Sequence, residues 1–221
     1  MANAFPGMPK DFFAFFRELR KHNDRAWFED NKQRYRESVQ GPMSEFVSAM
    51  APHLKKVSKH FVCDPRPNGG SIFRIHRDVR FARDKRPYKE NAGCYFRHDA
   101  GKNVHAPGFY VHFAPDEVFF GGGLWMPESG ALAKVRDAIV KRSAAWKKLG
   151  PVRGEGLSRP PRGFAPDHPL IEDIKRKSFY AMTEADPKIA LSPALTGNVA
   201  KAFSSAAPLV RFLCGALDVP F

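Results

Sequence analysis

The residues most able to do chemistry stand together in one basic segment, residues 74–89. Seven of its sixteen residues are Arg or Lys, two are Asp, and aromatic side chains stand at positions 81 and 88. The planar guanidinium group of Arg binds phosphate or carboxylate through two parallel hydrogen bonds. The segment therefore predicts an anion-binding surface, with phosphate as the favoured group. The binding residues predicted from it are Arg74, His76, Arg77, Arg80, Arg83, Lys85, Tyr88 and Lys89.

Two carboxylates, Asp78 and Asp84, are interleaved with these cations. A carboxylate beside a guanidinium group holds it in place, so we expect both to support the binding surface. A Mg²⁺ site at the pair is less favoured, because five cationic side chains beside and between them already neutralise their charge. The ordinary alternative is a solvated loop whose ion pairs contribute about 0–1 kcal/mol each.

Polar and apolar residues alternate in two further segments, residues 71–77 and 108–114. Alternation with period two predicts an antiparallel sheet with one buried and one available face. Adjacent strands would hold the polar side chains within about 5–10 Å of one another. The residues expected on the buried face are Phe73, Ile75, Phe109, Val111 and Phe113. Those expected on the available face, as part of the anion site, are Arg74, His76, Tyr110 and His112.

Two His, a Tyr and an Arg could both bind an anion and move a proton; the alternative is a polar sheet surface with no task. Metal binding is not expected, since His98, His105, His112 and Cys94 match no compact zinc motif. The chain also lacks a phosphate-binding loop, a nucleophile elbow and a His-Glu-x-x-His pair. We therefore assign no metal, no cofactor and no catalytic residue, and leave open whether the protein is an enzyme.

The composition favours a globular protein with an anionic partner. Of 221 residues, 43 % are hydrophobic, and 36 Lys and Arg against 23 Asp and Glu give a net charge of +13. No apolar run approaches the roughly 20 residues that cross a membrane. The opening six residues do not resemble a secretory signal. Three scattered Cys exclude a disulfide framework and favour a reducing compartment, so we expect a cytoplasmic protein without a membrane partner.

The remaining elements predict an α+β fold. Apolar residues at helical spacing precede residue 62, and helical segments return after Pro127, so an antiparallel sheet of about residues 71–124 is expected to be covered by N- and C-terminal helices. We expect a kink or an interruption at Pro52, a division of the last helical region at Pro208, and a long loop over residues 150–169, followed by a helix that includes Phe179. We expect residues 1–221 to form a single domain.

The motifs also carry a family resemblance. Arg77-Asp78-Val79-Arg80-Phe81, Asp84-Lys85-Arg86-Pro87-Tyr88-Lys89 and Pro107-Gly108-Phe109-Tyr110 resemble the motif set of the family called domain of unknown function 2461. The Trp27-Phe28 pair, Arg162-Gly163-Phe164 and Asp167-His168-Pro169 are similar to it as well. The resemblance spans nearly the whole chain and implies a single domain in microbial cytoplasmic proteins. It implies no activity.

Three functions follow from the residues. The leading hypothesis is an anion-binding protein whose ligand carries phosphate, with nucleic acid or a nucleotide as the favoured class. The second is an enzyme acting on a small phosphorylated or carboxylated substrate at the Arg, His and Tyr side chains. The third is an interaction module whose basic loop docks on an acidic protein.

Overall fold

The architecture is a four-stranded antiparallel sheet flanked by helices, in a computed structural model that describes residues 5–100 and 106–221. The helices are α1 (Asp11–Lys21), α2 (Arg25–Asp30), α3 (Lys32–Tyr35), α4 (Gly41–Val57), α5 (Ser129–Lys141), α6 (Ser143–Lys147), α7 (Ile171–Ile174) and α8 (Leu195–Ala216). A π-helical segment (Arg36–Gln40) joins α3 to α4, and a 3₁₀ helix (Pro187–Leu191) precedes α8. The strands are β1 (Ala92–Arg97), β2 (Gly108–Phe113), β3 (Val118–Leu124) and β4 (Phe179–Ala185).

The predicted α+β class is confirmed. The strands pair in chain order, β1-β2-β3-β4, and every neighbouring pair is antiparallel. The alternation in residues 108–114 correctly gives the buried face, since Phe109, Val111 and Phe113 are fully buried. Because only the alternate residues face the helices, the other face of each strand is left available.

The helices cover one face of the sheet, here called the inner face. Phe113 packs edge-on against Phe12 of α1 and Phe46 of α4, while Phe109 packs against Phe203 of α8 at 4.7 Å between ring centroids. Such aromatic pairs add to the stabilisation from burial of their apolar area. The inner face and these helices therefore form the core that fixes the sheet.

Neither Pro52 nor Pro208 ends the helix that contains it, so the predicted division at Pro208 is wrong and the interruption considered at Pro52 does not occur. α4 continues through Pro52, and α8 continues through Pro208. A proline inside a helix removes one hydrogen bond and costs about 3 kcal/mol. In α8, residues on both sides of Pro208, including Phe203 and Leu213, are buried. Burial of the whole apolar face of α8 offsets the local cost.

Residues 71–77 do not form the regular strand that the alternation predicts. Ile72 bridges to Cys94 at the edge of β1, and Phe73 N–H donates to Gly93 O at 2.9 Å. Ile72 is thereby placed on the buried side and Phe73 on the other. The prediction that Phe73 is buried is wrong, because its side chain is 46 % exposed, while Ile75 is buried as predicted. The alternation of buried and exposed side chains changes between Phe73 and Ile75, because the pairing with β1 ends after Phe73.

Strand β4 is the second departure from the sequence prediction. The sequence predicts that Phe179 continues a helix, but this residue begins β4, and α7 ends at Ile174. β4 gains backbone pairing on both sides, since Tyr180 pairs with Gly123 of β3 and forms a bridge with Arg153. Tertiary pairing of this kind overrides the local helical pattern. The same bridge shows that the loop over residues 150–169 is partly ordered by the sheet edge.

The inner face leaves no room for a larger residue at Gly122. A Cβ atom there would lie 2.7 Å from Cδ1 of Phe109 and 2.8 Å from Cγ2 of Val210. Gly122→Ala is expected to lower the free energy of unfolding by about 1–3 kcal/mol through overpacking. Urea denaturation measures the change. Gly130→Ala is the matched control, since its Cβ would meet nothing within 4 Å and its helix should gain up to about 1 kcal/mol. Equal stabilities of the two variants would contradict the packing described.

Candidate anion-binding site

The basic segment folds back on itself as a hairpin that projects from the edge of the sheet. Arg77 N–H donates to Pro87 O and Lys89 N–H donates to Ile75 O, each at 2.8 Å. We call residues 74–89 the basic hairpin. Phe81 stands near its tip, 96 % exposed. The hairpin therefore displays its charged side chains on two antiparallel arms.

Asp84 holds one arm of the basic hairpin to the other. Its carboxylate accepts hydrogen bonds from Arg77 Nη1 at 2.7 Å, from Arg86 Nη2 at 2.8 Å and from the Arg86 backbone N–H at 3.0 Å. The hydrogen bonds from Arg86, and then those from Arg77, hold the pKa of Asp84 well below its ordinary value. Asp84 thus remains ionised and fixes two guanidinium groups.

Asp78 and Lys85 organise the tip. The Asp78 carboxylate accepts from Arg80 Nε at 2.9 Å and Nη2 at 2.7 Å. These hydrogen bonds lower the pKa of Asp78. Lys85 Nζ donates to the backbone oxygen of Val79 at 3.0 Å. The Lys85 ammonium group is therefore turned partly toward the hairpin's own backbone.

Arg74 and Arg83 differ from the other arginines of the basic hairpin. Both side chains are exposed, and neither makes a hydrogen bond or ion pair with a residue in the described ranges. Arg77, Arg80 and Arg86 are each paired with a carboxylate. Arg74 and Arg83 thus offer their guanidinium groups to a ligand without first breaking an ion pair.

Tyr88 and His76 are placed at the base of the hairpin. Tyr88 is buried, and its ring stacks on Phe28 of α2 at 4.1 Å. The Asn23 side chain holds the Tyr88 backbone, since its Oδ1 accepts from Tyr88 N–H and its Nδ2 donates to Tyr88 O, both at 3.1 Å. The His76 ring lies 5.3 Å from the Tyr88 ring. Tyr88 therefore anchors the hairpin to the helices, and its ring is not displayed at the projecting arms.

Lys89 links the hairpin to the sheet. Its Nζ donates to Arg74 O at 2.9 Å and lies 5.3 Å from the centroid of the Phe73 ring. Burial, and then the charge of Arg74, lowers the pKa of Lys89. The Phe73 ring in turn lies 5.9 Å from Tyr110 of β2. A continuous line of contacts thus runs from the hairpin to the face of the sheet opposite the helices, here called the outer face.

Tyr110 and His112 lie on this outer face and are hydrogen-bonded to each other. The Tyr110 hydroxyl is 3.1 Å from His112 Nδ1, and the His112 ring stacks on Phe119 of β3 at 4.6 Å. Burial raises the pKa of Tyr110. Burial also lowers the pKa of His112, and the charges of Glu117 and Asp116 only partly oppose that effect. The pair is thus arranged as a neutral hydrogen-bonded unit.

The structure brings the predicted residues together in two groups. Tyr110 and His112 share the outer face with Phe73, which takes the place that the sequence prediction gives to Arg74. His76 is at the other side of the hairpin base, near Phe28 at 6.2 Å between ring centroids. The predicted cluster of two His, a Tyr and an Arg is therefore divided, because residues 71–77 do not keep the strand phase.

The sequence prediction misses three residues that help to hold the hairpin, Arg20, Asn23 and Glu90. Arg20 of α1 donates to Glu90 at 3.0 Å and to Asp116 at 3.2 Å, and Glu90 also accepts from Arg86. Asn23 holds Tyr88 as described above. Arg20 and Asn23 are at least 65 residues from these partners in the sequence, so no local spacing marks these pairs. Arg86 and Glu90 are only four residues apart, a spacing that the sequence does show.

The cavity observed beside the basic hairpin is small. Its lining includes Phe73, Ile75 and Asn91, and it has a volume of about 10 Å³, which is about the minimum for one water molecule. A groove of about 280 Å³ between Lys134 and Val219 lies elsewhere. The observed cavity beside the hairpin is therefore too small for a metabolite.

One group of side chains could supply ligands to a metal ion. Donor atoms of His60, His98 and Asp99 lie within 4.8 Å of one another. Both nitrogens of His98 are already used, since Nε2 lies 2.7 Å from Pro220 O and Nδ1 accepts from the Ala100 N–H at 2.9 Å. A metal would displace a backbone partner, so the cluster fits a structural role. His105, considered above with His98, lies outside the described residues.

Comparison with known proteins supports the resemblance seen in the motifs. The sequence model of the family described as "Conserved hypothetical protein (DUF2461)" matches residues 11–212. A search of curated proteins and of solved structures finds no significant match to the chain. No described helix has both the length and the apolar character needed to cross a bilayer.

Replacing Asp84 should loosen the basic hairpin. In Asp84→Asn the carboxylate charge that holds Arg77 and Arg86 is lost, so the arms should separate more often. Tryptic cleavage within residues 77–86 is expected to become several-fold faster with little change in melting temperature, because ion pairs of a half-exposed side chain contribute little to global stability. Asp167→Asn, which removes an exposed carboxylate from another loop, is the control. Unchanged cleavage of Asp84→Asn would show that the ion pairs do not order the hairpin.

The lowered pKa of His112 predicts a pH dependence of stability. The folded protein favours the neutral ring, so the stability contributed by His112 is complete above the ordinary value of 6.5. It is lost as the pH falls through the lower pKa of the folded state. NMR titration of the imidazole should give a pKa below 6.5, and Glu117→Gln should lower it further. His112→Gln should remove this part of the pH dependence; a pKa at or above 6.5 would refute the assignment.

Proposed function

The chain belongs to the family that matches residues 11–212, whose description names no activity, and we propose from its site that it binds a phosphate-bearing ligand, nucleic acid in preference, through the basic hairpin. The observation that carries this proposal is that some arginines of the basic hairpin are ion-paired and others are not. Arg77 and Arg86 are held by Asp84, while Arg74 and Arg83 are exposed and make no ion pair with a described residue.

Such an arrangement suits anion binding. Charged side chains that are already positioned lose less conformational entropy when a ligand binds. The net charge of +13 adds a long-range attraction for polyanions that raises the rate of encounter. The hairpin is thus an ordered support for two free guanidinium groups in a positively charged protein.

A polymeric ligand is favoured over a small one. The cations are spread along two projecting arms, and the neighbouring cavity holds only about 10 Å³. A small phosphorylated substrate usually requires a concave pocket that buries most of its surface. An extended phosphate backbone can instead contact several exposed cations in succession.

The enzyme hypothesis rests on the Tyr110–His112 hydrogen bond of 3.1 Å, which could carry a proton. It is less favoured, because the exposed arginines and this pair are in separate groups. The interaction-module hypothesis uses the same cations to bind an acidic protein. Binding to a base-free polyanion and to nucleic acid, compared at several salt concentrations, separates these possibilities.

We also propose a cytoplasmic location. Cys63, Cys94 and Cys214 are all free thiols, which suits a reducing compartment. Burial raises the pKa of Cys63 and Cys214 to about 12, so both thiols are protonated at neutral pH and are poor nucleophiles.

Removal of an unpaired arginine should weaken binding without affecting the fold. Arg83→Ala and Arg74→Ala are each expected to reduce affinity for a fluorescent oligonucleotide and to lower the slope of log K against log salt by about 0.7–0.9. Fluorescence anisotropy measures both quantities, and thermal melting monitors stability. Lys147→Ala is the control, since Lys147 is an exposed cation on α6.

Arg77 both carries a positive charge for the ligand and forms an ion pair with Asp84. Arg77→Ala should therefore weaken binding and also increase the mobility of the hairpin, because Asp84 would lose a partner. The proposal fails if Arg74→Ala and Arg83→Ala bind as tightly as Lys147→Ala across the salt series. It also fails if the unaltered protein shows no affinity for any polyanion.

A further inference from the structure

We infer that the outer face of the sheet is a stacking surface for unpaired bases, so that the ligand is single-stranded nucleic acid. This inference rests on the proposed function, since it names the ligand that the basic hairpin would help to hold. The side chains that form the stacking surface are Phe73, Tyr95, Tyr110, Phe119, Trp125 and Tyr180.

Strand register places these side chains on one face. Tyr110 of β2 is directly paired with Tyr95 of β1 and with Gly121 of β3. Residues directly opposite in an antiparallel pair project on the same side. Phe119, two residues before Gly121, shares that side, and Tyr180 of β4 joins it through its pairing with Gly123. The aromatic residues therefore cross all four strands.

The helices described do not cover this face. The sheet aromatics that meet helices, such as Phe113 with Phe12, project from the inner face. On the outer face the rings contact one another, with 5.9 Å between Tyr110 and Phe119 and 5.5 Å between Trp125 and Tyr180. Trp125 is 66 % exposed, and Tyr110, Phe119 and Tyr180 are half-buried. Aromatic surface is thus displayed where a polar face would be ordinary.

Glycines let two of the rings lie across the sheet. A Cβ atom at Gly108 would lie 2.4 Å from the Tyr95 ring, and one at Gly93 would lie 3.0 Å from the Tyr110 hydroxyl. Each tyrosine therefore occupies the space above a glycine on the neighbouring strand. A ring that lies over the backbone turns its other face outward, and this is the orientation that stacking on a base requires.

Cations border the stacking surface at both edges. On the β1 side, Lys89 lies 5.3 Å from the Phe73 ring, and Arg97, two residues after Tyr95 on β1, is exposed. On the β4 side, Arg153 bridges to Tyr180, although it is also paired with Glu184 at 2.8 Å. Four spacings of about 4.8 Å, from the edge segment that carries Phe73 to β4, give a width of about 19 Å. That width accommodates several stacked bases.

A single strand matches this combination better than the alternatives do. In a duplex the bases are paired and stacked on one another, so their faces are not available to the protein rings. An unpaired base offers a π face to an aromatic side chain, whatever its sequence. An acidic protein would use the cations but has no general need of a surface built from aromatic rings.

The test compares three probes of equal phosphate number. They are an oligothymidylate of about 12 nucleotides, within the range that single-stranded binding folds cover, its abasic sugar-phosphate counterpart, and a duplex. We expect the oligothymidylate to bind at least about 10-fold more tightly than the abasic chain, since each stacked base adds about 1–3 kcal/mol. Quenching of Trp125 fluorescence should accompany its binding.

Variants of the exposed rings locate the effect. Trp125→Ala and Phe73→Ala should each weaken oligothymidylate binding by about 5- to 100-fold and leave abasic binding unchanged. Trp125→Phe, which keeps a ring, should recover most of the affinity. Leu191→Ala is the control for loss of an exposed apolar side chain, since Leu191 is 38 % exposed on the 3₁₀ helix. Circular dichroism and thermal melting confirm that each variant is folded.

The outcomes separate the stacking surface from the basic hairpin. Equal affinities for the oligothymidylate and the abasic chain, or full affinity in Trp125→Ala and Phe73→Ala, would overturn the stacking surface and leave the hairpin proposal standing. Binding of polyglutamate that is as tight and as dependent on Trp125 would also overturn it, in favour of a protein partner. Failure of all three probes to bind would overturn both proposals.

Discussion

The packing of helices on one face of the sheet is the constraint on which the rest of the molecule depends. β2 lies inside the sheet, and its Phe109, Val111 and Phe113 are fully buried against the helices. Because side chains alternate in direction along a strand, this burial forces Tyr110 and His112 to the opposite side. The helices that pack on the β2 rings, α1, α4 and α8, are thus on the inner face, and the outer face is left for other contacts.

The basic hairpin depends on the same core through a short chain of packing contacts. Tyr88 stacks on Phe28 of α2, and Asn23 holds the Tyr88 backbone. A rigid base is needed because the hairpin itself contributes little apolar burial. Its own arms are then ordered by charge, with Asp84 between Arg77 and Arg86. Packing positions the hairpin, and electrostatics shapes it.

Features of the fold that depend on neighbouring residues in the sequence could be predicted, and features that depend on distant contacts could not. The alternation in β2 and the apolar stripe of α1 depend on neighbours in sequence, and both were predicted correctly. The shift at Phe73 depends on where pairing with β1 stops, and β4 depends on pairing with β3, so neither could be predicted from local pattern. Tyr88 was predicted as a binding residue because it stands among cations. Its stacking on Phe28, 60 residues away in sequence, assigns it to the anchor.

The position of α8 has a consequence for how the protein is made. Phe203 on this helix packs on Phe96 of β1 and Phe109 of β2, and β4 comes shortly before the helix in the chain, with only the 3₁₀ helix between them. During synthesis the N-terminal helices and first three strands leave the ribosome well before these partners do. Their apolar inner face cannot close until α8 has emerged. The nascent chain therefore has an incomplete aromatic core, with apolar side chains exposed, for a large part of its synthesis. Binding of a chaperone would protect the chain most during this period.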